Sequence, residues 1–393
     1  MHSSQIPKEF STIRPFCDDE VSGAINSLLH DRQFSRILKG AVPFLPIGMI
    51  RGLLRLATVG IHSTQDFQMR FMKPVVKYIL RRCTNGYSFA HESIVPGPES
   101  YTFLSNHRDI VLDSAILDVM LHEAKFSTTC EIAIGDNLLI YPWIRTLVRL
   151  NKAFIVQRSL PMREMLQASQ VMSSYMHFAI NEKHENIWIA QREGRAKDSS
   201  DQTQASLLKM LAISGNGGTK GAVESIKALN VVPLAISYEY DPCDYLKAQE
   251  FQQKRDNPSW KKSRQDDLDN MKTGIFGKKG HVHYQTGRPV NEWIDALLDL
   301  PEKDFFLSLA QHIDLEIHHN YRLFPGNYVA ADLLRQNNAH TDKYTSSEQQ
   351  AFEEYIAQRI SLVELPKPDL AFLRERLLTM YANPVFNFES TEQ

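Results

Sequence analysis

Through the first 95 residues apolar side chains recur at helical spacing with few strand-like runs, which predicts a mostly helical N-terminal region closed by a turn at Pro96–Glu99. The pattern then changes. Short apolar runs bounded by polar turns alternate with longer helical stretches. Strands are expected at Tyr101–Leu104, Glu131–Ile134, Ala153–Val156, Asn186–Ala190, Val231–Tyr238 and Val282–Gln285. Helices are expected at Ile110–Leu121, Leu138–Leu150, Gln204–Ile213 and Ala222–Leu229, and another opens near Pro161, a proline suited to a first turn. Tyr245 to Gly280 reads as charged and helical, loosening to a loop around Thr273–Gly280, and the chain is helical again after Pro301. Strand–helix alternation predicts an α/β fold, with a mixed, largely parallel sheet flanked by helices and helical extensions at both ends. The organisation expected is a helical region over 1–95, a central domain over 96–300 and a helical region over 301–393.

Two stretches bear on membranes. Gly40–Ile61 is rich in Phe, Leu, Ile and Val, but Pro43, Pro46, Arg51 and Arg55 interrupt it. A spanning helix needs about 20 predominantly apolar residues, so none is read here. Lys73, Lys77 and Arg81 recur every fourth position, with Phe71, Val75, Val76, Ile79 and Leu80 between them. Such a helix either packs its apolar face on the core or lies in a lipid interface. Met1 to Asp19 lacks the basic-then-apolar order of a secretory signal.

Composition adds limits rather than a function. The chain is 43% hydrophobic and 23% charged, ordinary for a globular protein, and its net charge of −2 gives no reason to expect nucleic acid. An anion site must therefore be a local cluster of Arg and Lys. Four cysteines without CxxC or zinc-ligand spacing predict a reducing compartment and no disulfide framework.

Four segments carry candidate chemistry. Ser105-Asn106-His107-Arg108-Asp109-Ile110-Val111-Leu112-Asp113 follows a predicted strand and opens a predicted helix, where α/β folds place sites. A histidine there becomes a general base when a carboxylate holds its other ring nitrogen, and both Asp109 and Asp113 are near enough. Asp109 is equally suited to cap the next helix. Alone, a histidine beside an aspartate is more often structural. Lys152-Ala153-Phe154-Ile155-Val156-Gln157-Arg158-Ser159 is a strand delivering Arg158 to a loop. Gln191-Arg192-Glu193-Gly194-Arg195-Ala196-Lys197 gathers Arg192, Arg195 and Lys197 beside a glycine, as a phosphate dianion would suit. The plain reading of that segment is a solvated turn with Glu193 paired to one arginine. Val231-Val232-Pro233-Leu234-Ala235-Ile236-Ser237-Tyr238 is a core strand in which Pro233 suggests an edge or a bend.

In this order the four segments resemble the glycerol-3-phosphate and lysophosphatidate acyltransferase superfamily, with its NHx4D, GxxFxxR and EGxRS motifs and its apolar proline-containing strand. Gly135-Asp136-Asn137-Leu138 and Gly280-His281-Val282-His283-Tyr284-Gln285-Thr286-Gly287-Arg288-Pro289 also resemble segments of that family, and the likeness covers residues 100 to 290. The motifs depart from the family in detail. Five residues separate His107 from Asp113, Lys152 stands for the glycine of the second motif, and Ala196-Lys197 replaces an Arg-Ser pair.

The resemblance implies that His107 takes the proton of an acceptor hydroxyl while that oxygen attacks an acyl thioester. Asp113 would be the partner of His107, with Asp109 as the alternative. Arg158, Lys152 and the Glu193-Gly194-Arg195 segment would hold the acceptor's phosphate, and Pro233 would lie near the acyl donor. No cofactor is implied beyond the co-substrate, an acyl thioester of acyl carrier protein or coenzyme A, and no metal. The acceptor would be glycerol 3-phosphate, its 1-acyl derivative, or another lipid alcohol or amine. The protein would work in phospholipid synthesis in the cytoplasm, peripherally on the inner face of the membrane.

Other classes fit less well. A serine hydrolase lacks a GxSxG elbow, and Ser105 is too close in the chain to His107 for a dyad. The run Gly215–Gly221 precedes a helix as phosphate loops do, but the GKS/GKT ending is missing. A non-catalytic membrane-binding protein is the third rival. His281 and His283 share one side of a strand, without a third ligand to suggest a metal.

Overall fold

The computed structural model describes residues 1–41, 43–215 and 217–392. Val42 in the apolar stretch, Asn216 in the glycine-rich run and Gln393 lie outside the described residues. The strands are β1 (Gly86–Ala90), β2 (Thr102–Ser105), β3 (Cys130–Gly135), β4 (Ala153–Val156), β5 (Asn186–Ala190), β6 (Val231–Tyr238) and β7 (His281–Thr286). Among the described residues they form one sheet in the order β1-β7-β6-β2-β5-β3-β4. From β6 to β4 every pair is parallel, while β7 runs antiparallel to β6 and β1 parallel to β7. The expected mixed, largely parallel sheet flanked by helices is the fold observed.

A parallel sheet is covered on both faces, so successive strand residues enter opposite cores. Leu104, Ile187, Ile189, Val231 and Ala235 belong to one, whereas Phe103, Trp188, Val232, Leu234 and Ile236 belong to the other. The topology brings the C-terminal ends of β6, β2, β5, β3 and β4 to one rim, and His107, Arg158 and the Glu193-Gly194-Arg195 segment follow the ends of β2, β4 and β5.

Three expectations need correction. Pro233 is not at an edge, because β6 is flanked by β2 and β7 and Pro233 is buried between them. Pro233 accepts from Gly287 N–H at 2.8 Å but has no N–H to return. Ser93 Oγ instead donates to the Gly287 carbonyl at 2.8 Å, so the ladder carries a proline in a central strand. β1 falls in the region read as helical, because five half-buried residues are too short a run to stand out from the helical spacing around them. The helix Arg264–Phe276 runs through the first half of the segment expected to be a loop.

The helix Lys73–Cys83 packs on the core through Val76 and Leu80, and Lys77 Nζ reaches Glu123 Oε1 at 2.6 Å, so its basic face is partly used inside the protein. Among the described residues no helix is long and apolar enough to cross a membrane. The helix Asp18–His30 buries Val21, Ile25, Leu28 and Leu29 in a cluster against which Phe71, Trp143 and Leu147 pack.

Asp118 makes a pH-dependent contribution to this fold. It is buried in the helix Leu112–Glu123, accepting from Cys130 N–H at 2.8 Å and Gln68 Nε2 at 3.1 Å. Burial pushes its carboxyl from an ordinary 3.8 up to about 7. The native state thus holds this proton more tightly than the unfolded chain. The resulting stability is complete below pH 3.8 and is lost as pH rises to about 7. At 1.36 kcal/mol per tenfold, the swing is of order 4 kcal/mol. Asp118→Asn keeps an oxygen for the Cys130 N–H, so its urea-unfolding free energy should fall less between about pH 5 and about pH 8 than that of the wild type.

Candidate active site

β2 ends at Ser105, whose hydroxyl donates to the Asn106 carbonyl at 2.7 Å and accepts from Trp188 Nε1 at 3.0 Å. That hydroxyl is committed to structure, which removes the serine nucleophile. Asn106 is fully buried and clamps the loop to β6. The Ile236 N–H donates to Asn106 Oδ1 at 2.7 Å, and Asn106 Nδ2 donates back to the Ile236 carbonyl at 3.0 Å. The clamp fixes the backbone from which His107 turns into a cleft.

His107 Nδ1 lies 2.8 Å from Asp113 Oδ2, so the carboxylate holds the proton on Nδ1 and leaves the Nε2 lone pair for a substrate. Asp113 is fully buried at the start of the helix Leu112–Glu123. The same Oδ2 accepts from the backbone N–H groups of Arg108 at 2.7 Å and Asp109 at 3.0 Å, and Oδ1 accepts from the Tyr238 hydroxyl at 2.9 Å. Four donors fix this carboxylate, and through it the ring. The edge of the Trp188 indole supports the ring from the side, with centroids 5.5 Å apart and planes at 63°.

Asp109 has another task. Its Oδ1 accepts from Val111 and Leu112 N–H at 2.9 and 2.8 Å and caps the helix. Burial first, and the charge of Asp113 second, push its carboxyl above the usual range. The structure therefore pairs His107 with Asp113 and not with Asp109.

The cleft before His107 has a volume of about 510 Å³. Arg158, Arg192, Glu193, Gly194, Arg195 and Lys197 line it from the loops after β4 and β5, while Ile134, Leu139, Ile144, Leu147 and Val148 supply apolar wall. The helix Pro142–Leu150, which carries three of these apolar residues, also packs on the N-terminal helices through Trp143 and Leu147. Arg158 lies across Gly135, where a Cβ would come within 3.3 Å of its side chain, so the missing side chain at 135 makes room for the guanidinium. Arg158 Nη1 is 3.4 Å from Glu193 Oε1, a loose and exposed pair, and Arg195 Nη2 donates to Asn270 Oδ1 at 3.1 Å. Gly194 sits at φ +69°, the left-handed region that favours glycine, and this turn presents Glu193 and Arg195 to the cleft. Burial pulls the Lys197 ammonium down to about 8, although Glu250 bonds it.

Two candidates lie elsewhere. Lys152 is 1% exposed and outside the cleft, with its ammonium bound to Glu185 at 2.6 Å, Gln65 at 2.9 Å and Thr128 at 3.0 Å. Its φ of +59° is the conformation a glycine would accept without strain, and these contacts hold a lysine there instead. It is an internal ion pair rather than a phosphate ligand. Pro233 lines no part of the cleft. His281 and His283 share the Ser88 hydroxyl at 2.9 and 2.7 Å, and among the described residues no cluster of metal-ligating side chains occurs.

Sequence reasoning left Trp188 and Tyr238 without a role at the site. Period two along β5 would have put Trp188 on the face of Ala190, beside the rim, which is the signal available for it. Tyr238, by contrast, reads as one more apolar strand residue until β6 is paired with β2.

Residues 90–237 match the acyltransferase family. Among solved structures, the 1-acyl-sn-glycerophosphate (LPA) acyltransferase PlsC from Thermotoga maritima is similar at 10% sequence identity and a TM-score of 0.37, over 75% of this chain and 94% of that one. No curated protein sequence matches the chain. The segment holding the His107–Asp113 pair and the loops after β4 and β5 thus lies inside the matched span, and over residues 90–237 the chain carries a domain of the acyltransferase family.

Proposed function

We propose that the protein transfers a fatty acyl group from a thioester to the hydroxyl of a phosphate-bearing glycerolipid precursor, glycerol 3-phosphate or its 1-acyl derivative. The observation that carries this reading is that His107, already held by Asp113, opens on the same cleft as Arg158 and Arg195. In the reaction, Nε2 of His107 takes the proton of the acceptor hydroxyl as its oxygen attacks the thioester carbonyl. The tetrahedral intermediate collapses, the carbon–sulfur bond breaks, and the thiolate leaves with that proton. Asp113 stabilises the ring while it is charged. Arg158, Arg192 and Arg195 hold the acceptor's phosphate, fixing its hydroxyl near Nε2. The apolar wall takes the acyl chain.

The same reading puts the protein on the inner face of a membrane. Phe44, Leu53, Leu56 and Val59 are more than half exposed, and the N-terminal helices that bear or adjoin them pack against the helix over the cleft. Such side chains beside Arg36 and Arg55 suit an anionic lipid surface.

The test is thiol release from acyl-carrier-protein and coenzyme A thioesters with a panel of acceptors, including other lipid alcohols and amines. Release should require a phosphate-bearing acceptor. Arg158→Ala should raise the KM for that acceptor about 10- to 100-fold, the loss of one or two charge-assisted hydrogen bonds, and leave the thioester KM unchanged. Thiol release independent of every acceptor would refute transfer, and an unchanged acceptor KM would refute the phosphate contact.

A further inference from the structure

Asp201 is fully buried, and a single oxygen, Oδ2, receives three donors. These are Asn106 Nδ2 at 3.2 Å, Arg108 Nη2 at 2.7 Å and the Tyr321 hydroxyl at 2.7 Å. Two of the three belong to the immediate neighbours of His107. Arg108 is further tied to Ser199 Oγ at 2.7 Å and to the Ile236 carbonyl at 3.3 Å, so the residues on both sides of His107 are gripped from the segment 199–201.

That segment is strained. Ser199 and Asp201 have φ of +60° and +41°, where non-glycine residues are rare, and such strain persists only where surrounding contacts over-determine it. Here they do, and apart from Asn106, Arg108 and a turn within the segment itself they come from beyond residue 301. Asn383 Nδ2 donates to the Asp198 carbonyl at 2.7 Å and Asn387 Nδ2 to the Ser199 carbonyl at 3.2 Å, both from the helix Leu370–Glu389. From the helix Glu302–His319, His318 Nε2 donates to the Asp201 carbonyl at 3.0 Å, and Asp314 accepts from Thr203 N–H at 2.8 Å.

We infer that Asp201 is a positioning residue for His107, and that the C-terminal helices, which lie outside the matched acyltransferase span, complete the active site by holding it. The physical path is short. The helices fix the strained segment, Oδ2 of Asp201 fixes Asn106 and Arg108, and these set the backbone of His107 against Asp113. Catalysis is sensitive to such placement, because displacements of about 1 Å cost up to about 100-fold in rate.

The test uses the full chain with Asp201→Ala, Asp201→Asn and Asn387→Ala, and two readouts. The first is the downfield N–H resonance of His107 hydrogen-bonded to Asp113, which does not depend on the reaction proposed above. The second, which rests on that reading, is kcat per folded molecule well below the unfolding temperature. Asp201→Ala should shift or broaden the resonance and lower kcat about 10- to 100-fold, with both KM values unchanged. Asp201→Asn keeps an acceptor oxygen and should recover part of the loss, and Asn387→Ala should show a smaller effect of the same kind. If Asp201→Ala does not fold, the other two variants decide. A wild-type resonance and wild-type kcat in folded variants, with only the melting temperature lowered, would overturn the inference. If the wild type transfers no acyl group to any acceptor, the resonance alone decides this inference and the functional reading fails separately.

Discussion

His107→Ala is expected to lower the acyl-transfer kcat by about 10²- to 10⁴-fold while leaving both KM values near those of the wild type. The residual rate reflects the cationic loops and the apolar wall, which still bring the two substrates together. The ring is only slightly exposed and bears no fold-critical contact beyond Asp113 and Trp188, so the variant should fold normally by circular dichroism. Asp113→Ala should fall into the same range for a different reason, since it frees the Tyr238 hydroxyl and two backbone N–H groups as well as the ring. Asp109→Asn keeps the cap oxygen and should retain most of the activity. Rates are read as thiol release with the acceptor identified from the panel. Wild-type turnover in His107→Ala would mean that the base is another group.

The second large effect concerns stability. Trp188 is 4% exposed, fills the core under the rim, supports the His107 ring and donates to Ser105. Truncation to alanine leaves a cavity and removes the donor to the Ser105 hydroxyl, and should reduce the unfolding free energy in urea by about 3–5 kcal/mol. Trp188→Phe fills most of the volume and loses chiefly the indole hydrogen bond, about 1 kcal/mol. Because the indole also orients the ring, both variants should lower kcat more than their loss of folded protein explains. A Trp188→Ala protein as stable as the wild type would show that the neighbouring side chains collapse into the space.

Ala153–Val156, Asn186–Ala190 and Val231–Tyr238 were legible to the residue, because fully buried strands leave continuous apolar runs bounded by turns. His107, Arg158 and Arg195 could be picked out because polar residues following such runs fall at strand ends. Lys152 was misplaced for the converse reason. A basic residue before a strand looks the same whether its ammonium meets a substrate or Glu185, and only the fold brings residue 185 to it. Likewise Pro233 reads as an edge residue until Ser93 is seen to supply the missing donor.

The alternation of strands and helices, the lack of a long apolar run and the order of the motifs can all be read along the chain. These depend on neighbours within a few residues, whose spacing is written along the chain. It takes the folded chain to set Asp113 rather than Asp109 against His107, to hold the pair with Tyr238 and Trp188, and to brace its neighbours with Asp201 and the C-terminal helices. Those choices are contacts between residues tens to hundreds of positions apart, set by strand order and by which side of a buried sheet each side chain enters, and periodicity along one strand carries no record of them.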